Sequence, residues 1–346
     1  SKFSKRIFTL IFKMMIIYKI SLVIIFLIIS ISKSFSQNKE AYLYSYFINN
    51  GADGLHLAYS HDGYNWKTLK NNKSFLTPTI GNDKLMRDPC IIYGPDKKFH
   101  MVYTVSWRER SIGYAYSTDL INWSKQLKIP VMMHEENALN CWAPEIYYDS
   151  ISKKYVIIWS TTIPGRFKET DNSGDSIDIH TPSRLEEKTE LILTYNHRLY
   201  YVTTKDFRDF SKTKLFFDQG FNVIDGSINK SAEDYILFLK DETRYPPQKN
   251  IRITSSKSLF NSFEPVSDPI TGDYWAEGPS SIKIRDYWHV YFDKYMTTGN
   301  RMGAVKSKDL KNWTDISDEI NFPENALHGS IFKVSQDVLN NLLKLE

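Results

Sequence analysis

Cysteine is nearly absent from this chain of 346 residues: only Cys90 and Cys141 occur, too few for a disulfide framework and without partners at metal-ligand spacing. Two buried thiols are the default for such a pair, with one bridge as the alternative in an oxidising compartment. Apolar runs long enough to cross a membrane are missing too. The uncharged, mostly aliphatic stretch from Ile20 to Ser32 has 13 residues, whereas a spanning helix needs about 20. Nor is there a basic stripe. The first 36 residues hold six cations and no acid, so the formal charge of +4 becomes −2 without them. A domain so close to neutral offers no electrostatic reason to expect a nucleic-acid partner.

Those first residues have the layout of a secretion signal. Lys19 precedes the aliphatic run, and SFSQ at 34–37 offers Ser34 and Ser36 as small residues for cleavage before Gln37. The expected division is a signal peptide over 1–36 and one domain over 37–346. The product would be exported, periplasmic or secreted, with no stable membrane association after cleavage. An uncleaved anchor is the alternative, and Met14 or Met15 would serve as other translation starts.

What the chain has in plenty is aromatic residues, 14% of the total, which pack sheets and also stack on sugar rings. Two motifs recur among them. One is a turn, SHDGYNW at 60–66, STDLINW at 117–123, TKDFRDF at 204–210, SKSLFNSF at 256–263 and SKDLKNW at 307–313. The other is a ladder of Asp88, Glu145, Asp225, Glu277 and His328, each opening an apolar run. The turn advances by 57, 87, 52 and 51 residues and the ladder by 57, 80, 52 and 51. Two motifs that keep step at this period, with several short strand-like runs in each unit, predict an all-β fold, a five-bladed β-propeller. The ladder runs read as the first strand of each blade, so five residues far apart in sequence converge on one channel. Only HGSIFKV and an amphipathic tail follow His328, so the last blade is expected to be closed by N- and C-terminal strands together.

Carboxylates crowded into one channel repel one another, which divides acid from base. Cleaving a glycosidic bond takes one protonated and one ionised carboxyl. Glu277, in WAEGPSSIK, has Trp275 nearby as an apolar wall and is the candidate general acid. Asp88, in MRDPCII beside Arg87, is the candidate general base, and Asp225, in NVIDGSI, orients the acid and tunes it. Glu145 is either a ligand for a sugar hydroxyl or a partner for a neighbouring strand. Trp142 is either a stacking wall or core. A long polar insertion at 163–197 and the irregular stretch 241–250, with Arg244 and Lys249, either border the site or lie in solvent.

Over about residues 41–334 the chain resembles glycoside hydrolase family 43. The likeness rests on RDP at 87–89, WAPE at 142–145, IDGS at 224–227, EGP at 277–279, HGS at 328–330 and the repeated turns. The resemblance implies an inverting glycosidase with Asp88 as general base, Asp225 as modulator and Glu277 as general acid. It also implies that His328 lies in the channel, near a water cluster or a calcium. Glu145, Trp142, Arg87, His328 and Trp275 are the expected substrate-binding residues, and no cofactor is expected to be required. WAPE in place of WAPD, and Gly226 in place of proline, mark a divergent subfamily. The expected substrate is a carbohydrate, with α-L-arabinofuranosyl groups of plant polysaccharides or oligosaccharides first. A β-xylosidase, another exo-glycosidase, a glycoside phosphorylase using Arg87, Arg244 and Lys249, and a non-catalytic sugar-binding propeller follow in that order. Fructan-cleaving propellers share the RDP segment but need an NDPNG strand that does not occur in this chain.

Overall fold

The computed structural model describes residues 18–19, 40–170, 195–244, 246–295 and 301–345. The expected signal peptide, apart from residues 18–19, and residues 171–194 of the insertion lie outside the described residues. Among the described residues no helix is long and apolar enough to cross a membrane.

The first blade in chain order holds β1 (Glu40–Phe47), β2 (His56–Ser60) and β3 (Lys67–Thr68). The next holds β4 (Arg87–Tyr93), β5 (Phe99–Thr104), β6 (Ile112–Ser117) and β7 (Leu127–Ile129). It is followed by β8 (Trp142–Asp149), β9 (Lys154–Thr162), β10 (His197–Thr204) and β11 (Lys214–Phe217). The fourth holds β12 (Val223–Lys230), β13 (Tyr235–Asp241) and β14 (Asn250–Ser256). The fifth holds β15 (Trp275–Ile284), β16 (Tyr287–Tyr295), β17 (Arg301–Ser307) and β18 (Thr314–Asp315). The last strand, β19 (Leu327–Ser335), returns to pair antiparallel with β1, giving a sheet ordered β19, β1, β2, β3. The chain is therefore the five-bladed β-propeller its repeat predicts, closed by strands from both ends.

Strand sequences such as KYVIIWSTT in β9 are buried along nearly their whole length, because both faces of a blade are covered by its neighbours. Five hydrophobic clusters result, one between each pair of adjacent blades. Val102, Ile146 and Trp159 meet in one, and Ile158, Leu199 and Leu237 in the next. The inner strands β4, β8, β12, β15 and β19 touch in ring order around the axis.

The repeated turn has a physical cause. In SHDGYNW, Oδ1 of Asp62 accepts the amides of Tyr64 and Asn65 at 2.7 and 2.8 Å, and Asn65 donates to Oδ2 at 2.8 Å. Asp119 and Asp309 repeat those bonds in their own turns. An aspartate that satisfies two successive turn amides stops the chain from continuing as strand. Ser258 at the aspartate position lacks such a carboxylate, and its turn is held instead by the Ser256 hydroxyl.

After β19 the helix α1 (Gln336–Leu343), capped by the Ser335 hydroxyl, buries Leu339 and Leu342. They join Leu43, Phe99 and Phe332 in the cluster between the closing blade and the one that follows it. Gly329 crosses Ser45 so closely that a Cβ there would lie 1.7 Å from the Ser45 carbonyl oxygen. Removing residues 328–346 leaves β1 with a bare edge and takes Phe332, Val334, Leu339 and Leu342 out of this cluster, where each large apolar side chain lost costs about 2–5 kcal/mol. The truncated protein is expected to show no cooperative thermal unfolding. A native-like melting transition would overturn the closure argument.

Candidate functional site

All five inner strands carry the same β-bulge near their start, where two residues oppose one on the second strand of the blade. The flanking pairs are Arg87 with Thr104, Trp142 with Ser160, Ile224 with Lys240, Glu277 with Asp293 and Leu327 with Phe47. The first bulged residue is then Asp88, Ala143, Asp225, Gly278 and His328 in turn. Its φ lies between +46° and +64° in the first four. A bulge of this kind bends the strand and re-aims its side chain and amide.

This register corrects the ladder. Asp88, Asp225 and His328 are equivalent, but Glu277 sits one residue earlier, where the other blades have Arg87, Trp142, Ile224 and Leu327. Glu145 sits two residues later, level with Cys90, Ser227, Ser280 and Ser330. Similar spacings in sequence concealed small offsets of opposite sign.

The bulged amides need acceptors, since a buried peptide N–H left without one costs about 1–3 kcal/mol. The second strand of the preceding blade supplies three of them. Ala143 N–H donates to Thr104 Oγ1 at 2.9 Å, Asp225 N–H to Ser160 Oγ at 3.2 Å, and His328 N–H to Asp293 Oδ2 at 3.0 Å. A second ring of latches lies further along the strands. Ile331 N–H donates to Ser280 Oγ at 2.9 Å, and Ile91 N–H to Ser330 Oγ at 2.8 Å. The Ile228 amide donates to Glu145 Oε1. Glu145 thus occupies a latch position and partners a neighbouring strand, one of the two roles open to it from sequence. Burial pushes its carboxyl up to about 8, against the opposing pull of the Ile228 amide.

Asp88, His328, Asp225 and Glu277 come together from four blades. Thr104 Oγ1 donates to Asp88 Oδ2 at 2.8 Å, and His328 Nδ1 is 3.3 Å from Asp88 Oδ1. Gly278 lies against the imidazole, where a Cβ would meet the ring at 2.4 Å, and its amide donates to Asp225 Oδ2 at 2.9 Å. Only glycine fits a positive φ with so little room. Burial would raise Asp88, but the hydrogen bond and charge of His328, then Arg87 and Thr104, pull it below the ordinary carboxylate value. The Asp88 carboxyl is therefore ionised in ordinary conditions. Burial raises Asp225 to about 6, with the charges of His328 and Lys240 opposing and those of Glu277 and Asp88 reinforcing the rise. His328 is carried to about 9: burial opposes its charge, and Asp88 and Asp225 outweigh it.

Glu277 is 36% exposed at its side chain. Where sequence suggests an apolar wall from Trp275, the nearest partner of the carboxylate is the Lys240 ammonium, 2.8 Å from Oε2. Trp275 packs edge-on to Tyr295 at 5.5 Å, with the Lys249 ammonium 5.8 Å from its ring. Lys249 is buried and ion-paired with Glu242, which leaves it neither in solvent nor an uncompensated cation for phosphate. Arg87 lies over the rings of Phe47 and Trp107 at 4.5 and 4.3 Å and donates to Asn50 Oδ1 at 3.0 Å. Trp142 donates to the Trp107 carbonyl at 2.9 Å and packs on Tyr195 and His197. An aromatic wall therefore flanks the carboxylates at the end of the channel where the inner strands begin.

Cys90 and Cys141 are both buried free thiols. Among the described residues no group of three or more His, Cys, Asp or Glu side chains is arranged to hold a metal. His328, beside which a channel calcium is expected from the sequence, turns Nδ1 to Asp88 Oδ1 at 3.3 Å.

Sequence reasoning missed Thr104, Lys240 and Asp293, which stand on second strands. Each is the polar residue that ends a buried apolar run, in MVYT, LFLK and VYFD, and pairing each hairpin in register would have placed it level with the residue just before the bulge.

The site leaves a mark on stability. Burial and the Glu277 charge raise Asp293 to about 8. Asp293 and Glu145 keep protons in the folded state that the unfolded chain releases near pH 4, so their effect on stability is an increasing cost as pH rises from about 4 to 8. His328 adds stability that is complete below about pH 6.5 and lost as pH rises through about 9. All three slopes have one sign. Denaturant midpoints are expected to fall between pH 6 and 9, and Asp293→Asn to flatten the fall; a midpoint that rises over this range would contradict the assignment.

A profile of glycoside hydrolase family 43-related proteins, described as a probable glycosyl hydrolase domain, matches residues 37–340. An α-L-arabinofuranosidase of Bifidobacterium longum subsp. longum is 24% identical over 268 residues, which cover 65% of this chain and 23% of that protein. The chain thus spans about a quarter of the length of that curated relative. The crystal structure of an α-L-arabinofuranosidase from Lactobacillus brevis has the same fold, with a TM-score of 0.50 and 15% identity over 66% of this chain and 72% of that one. A thermostable family-43 glycoside hydrolase gives 0.48 and 14% over 66% and 70%. With nearly the whole propeller matched by one profile, the chain belongs to the family of glycoside hydrolase family 43-related domains.

Proposed function

We propose that the protein is an exported, inverting glycosidase that removes pentose residues from plant polysaccharides or oligosaccharides, α-L-arabinofuranosyl groups first. The observation that carries this is the division of the channel carboxyls. Asp88 is held ionised by His328, while Glu277 stands on another blade with its own cationic partner and Asp225 lies between them through the Gly278 amide. An ionised carboxylate and a second carboxyl held apart from it on another blade are what hydrolysis with inversion needs.

In this reading Asp88 takes a proton from a water whose oxygen attacks the anomeric carbon. The bond from that carbon to the leaving oxygen breaks, and Glu277 delivers its proton to that oxygen. Asp225 fixes the strand that carries Glu277. The aromatic wall of Trp107 and Trp142 receives a sugar face, with Arg87 beside it. The α-L-arabinofuranosidase of Bifidobacterium longum supports arabinose as the first sugar to test, and xylose is the next.

Incubation with arabinan, arabinoxylan, arabinogalactan and xylo-oligosaccharides in phosphate-free buffer is expected to release one pentose, whose first-formed anomer has inverted configuration by NMR. Release that requires phosphate, or binding without release, would refute hydrolysis. Asp88→Asn and Glu277→Gln are each expected to lower kcat on unactivated glycosides at least about 100-fold, and near-normal turnover in either would remove that residue from its role.

A further inference from the structure

We infer that Lys240 is the positioning residue of the acid Glu277, placed at the one junction where the interblade latch has been replaced by an ion pair. The inference rests on the hydrolytic reading above. Its ground is the ring of second-strand residues paired with the residue just before each bulge: Thr104, Ser160, Lys240, Asp293 and Phe47. At three of the five positions stands a short acceptor, Thr104, Ser160 or Asp293, which takes the bulged amide of the next blade. At a fourth position the chain has Lys240, which has no lone pair to offer when charged. The Gly278 amide therefore turns to Asp225 Oδ2, and Lys240 reaches past it to Glu277. One substitution in the ring thus sets two geometries, tying Asp225 to the strand of the acid and fixing the carboxyl of the acid itself.

The cost of placing an ammonium here is high, and the structure compensates for it. The Lys240 side chain is 2% exposed, and a buried charge is tolerated only when paired. Besides Glu277 it has Glu242 Oε2 at 2.6 Å and the Tyr295 ring at 4.7 Å. Glu242 is shared with Lys249, so the cluster alternates in sign. Stability alone would be served by a serine or threonine at this position, as in the preceding blades. Because Lys240 engages Oε2, the proton passed to a leaving oxygen is carried on Oε1.

The test compares Lys240→Met, Lys240→Arg and Glu277→Gln on 4-nitrophenyl and methyl α-L-arabinofuranosides, whose leaving groups need little and much acid assistance. Lys240→Met is expected to lower kcat on the methyl glycoside about tenfold or more with KM changed by less than about threefold. It should change kcat on the nitrophenyl glycoside little and move the alkaline limb of kcat/KM upward by about one pH unit or more. Lys240→Arg should leave the limb in place. Thermal melts establish folding, and if Lys240→Met does not fold, the double variant Lys240→Met with Glu242→Gln, which removes both charges, takes its place. Equal losses on the two glycosides, or an unmoved limb, would overturn the role of Lys240. If Glu277→Gln itself shows no dependence on the leaving group, the acid assignment fails, and the inference fails with it for that separate reason.

Discussion

A peptide N–H turned toward the axis of a closed ring has to find an acceptor in the next blade, and the rest of this structure is arranged around that requirement. Five equivalent bulges bend the inner strands; Thr104, Ser160 and Asp293 on second strands receive three of the amides they redirect, and Asp225 receives that of Gly278. The latches lie in a dry interior where an unmet donor is costly. They fix each blade against its neighbour to within the tolerance of a hydrogen bond. That rigidity allows carboxylates from different blades to be held in a set geometry.

The site is a modification of the same ring. Where the chain has Thr104, Ser160 or Asp293, the second-strand side chain joins blades together. Where it has Lys240, the join is made by Asp225 instead, and the ammonium is spent on Glu277. Asp88 gains its ionised state from His328, which is itself held by Asp293 through its amide. Structural and chemical groups are therefore one network, and its charges alternate closely enough that no single carboxyl has an environment independent of the others.

Much of this was legible in sequence, and for particular reasons. The Asx turns at Asp62, Asp119 and Asp309 are local, made by residues within three positions of each other, so their spacing announces the blades directly. Strand type follows from the short apolar runs between them. The ladder was legible only approximately. An inner strand with a bulge does not keep a period of two through the bulge, so a carboxylate one residue early, Glu277, and another two residues late, Glu145, looked equivalent to Asp88 and Asp225. Counting along a chain cannot see which residue a bulge absorbs.

The sequence by itself determined the number of blades, the closure of the ring by β19 on β1, and the residue types at its axis, because all of these are carried by local turn chemistry and hydrophobic runs. Tertiary structure alone decided what each axial group is. Whether a carboxyl lies beside an imidazole, an ammonium or a peptide amide depends on the neighbouring blade. The deciding partners, His328 for Asp88, Lys240 for Glu277 and Ile228 for Glu145, stand 240, 37 and 83 residues away. Charge and hydrogen bonding act over a few ångströms of space and carry no mark in the order of the chain.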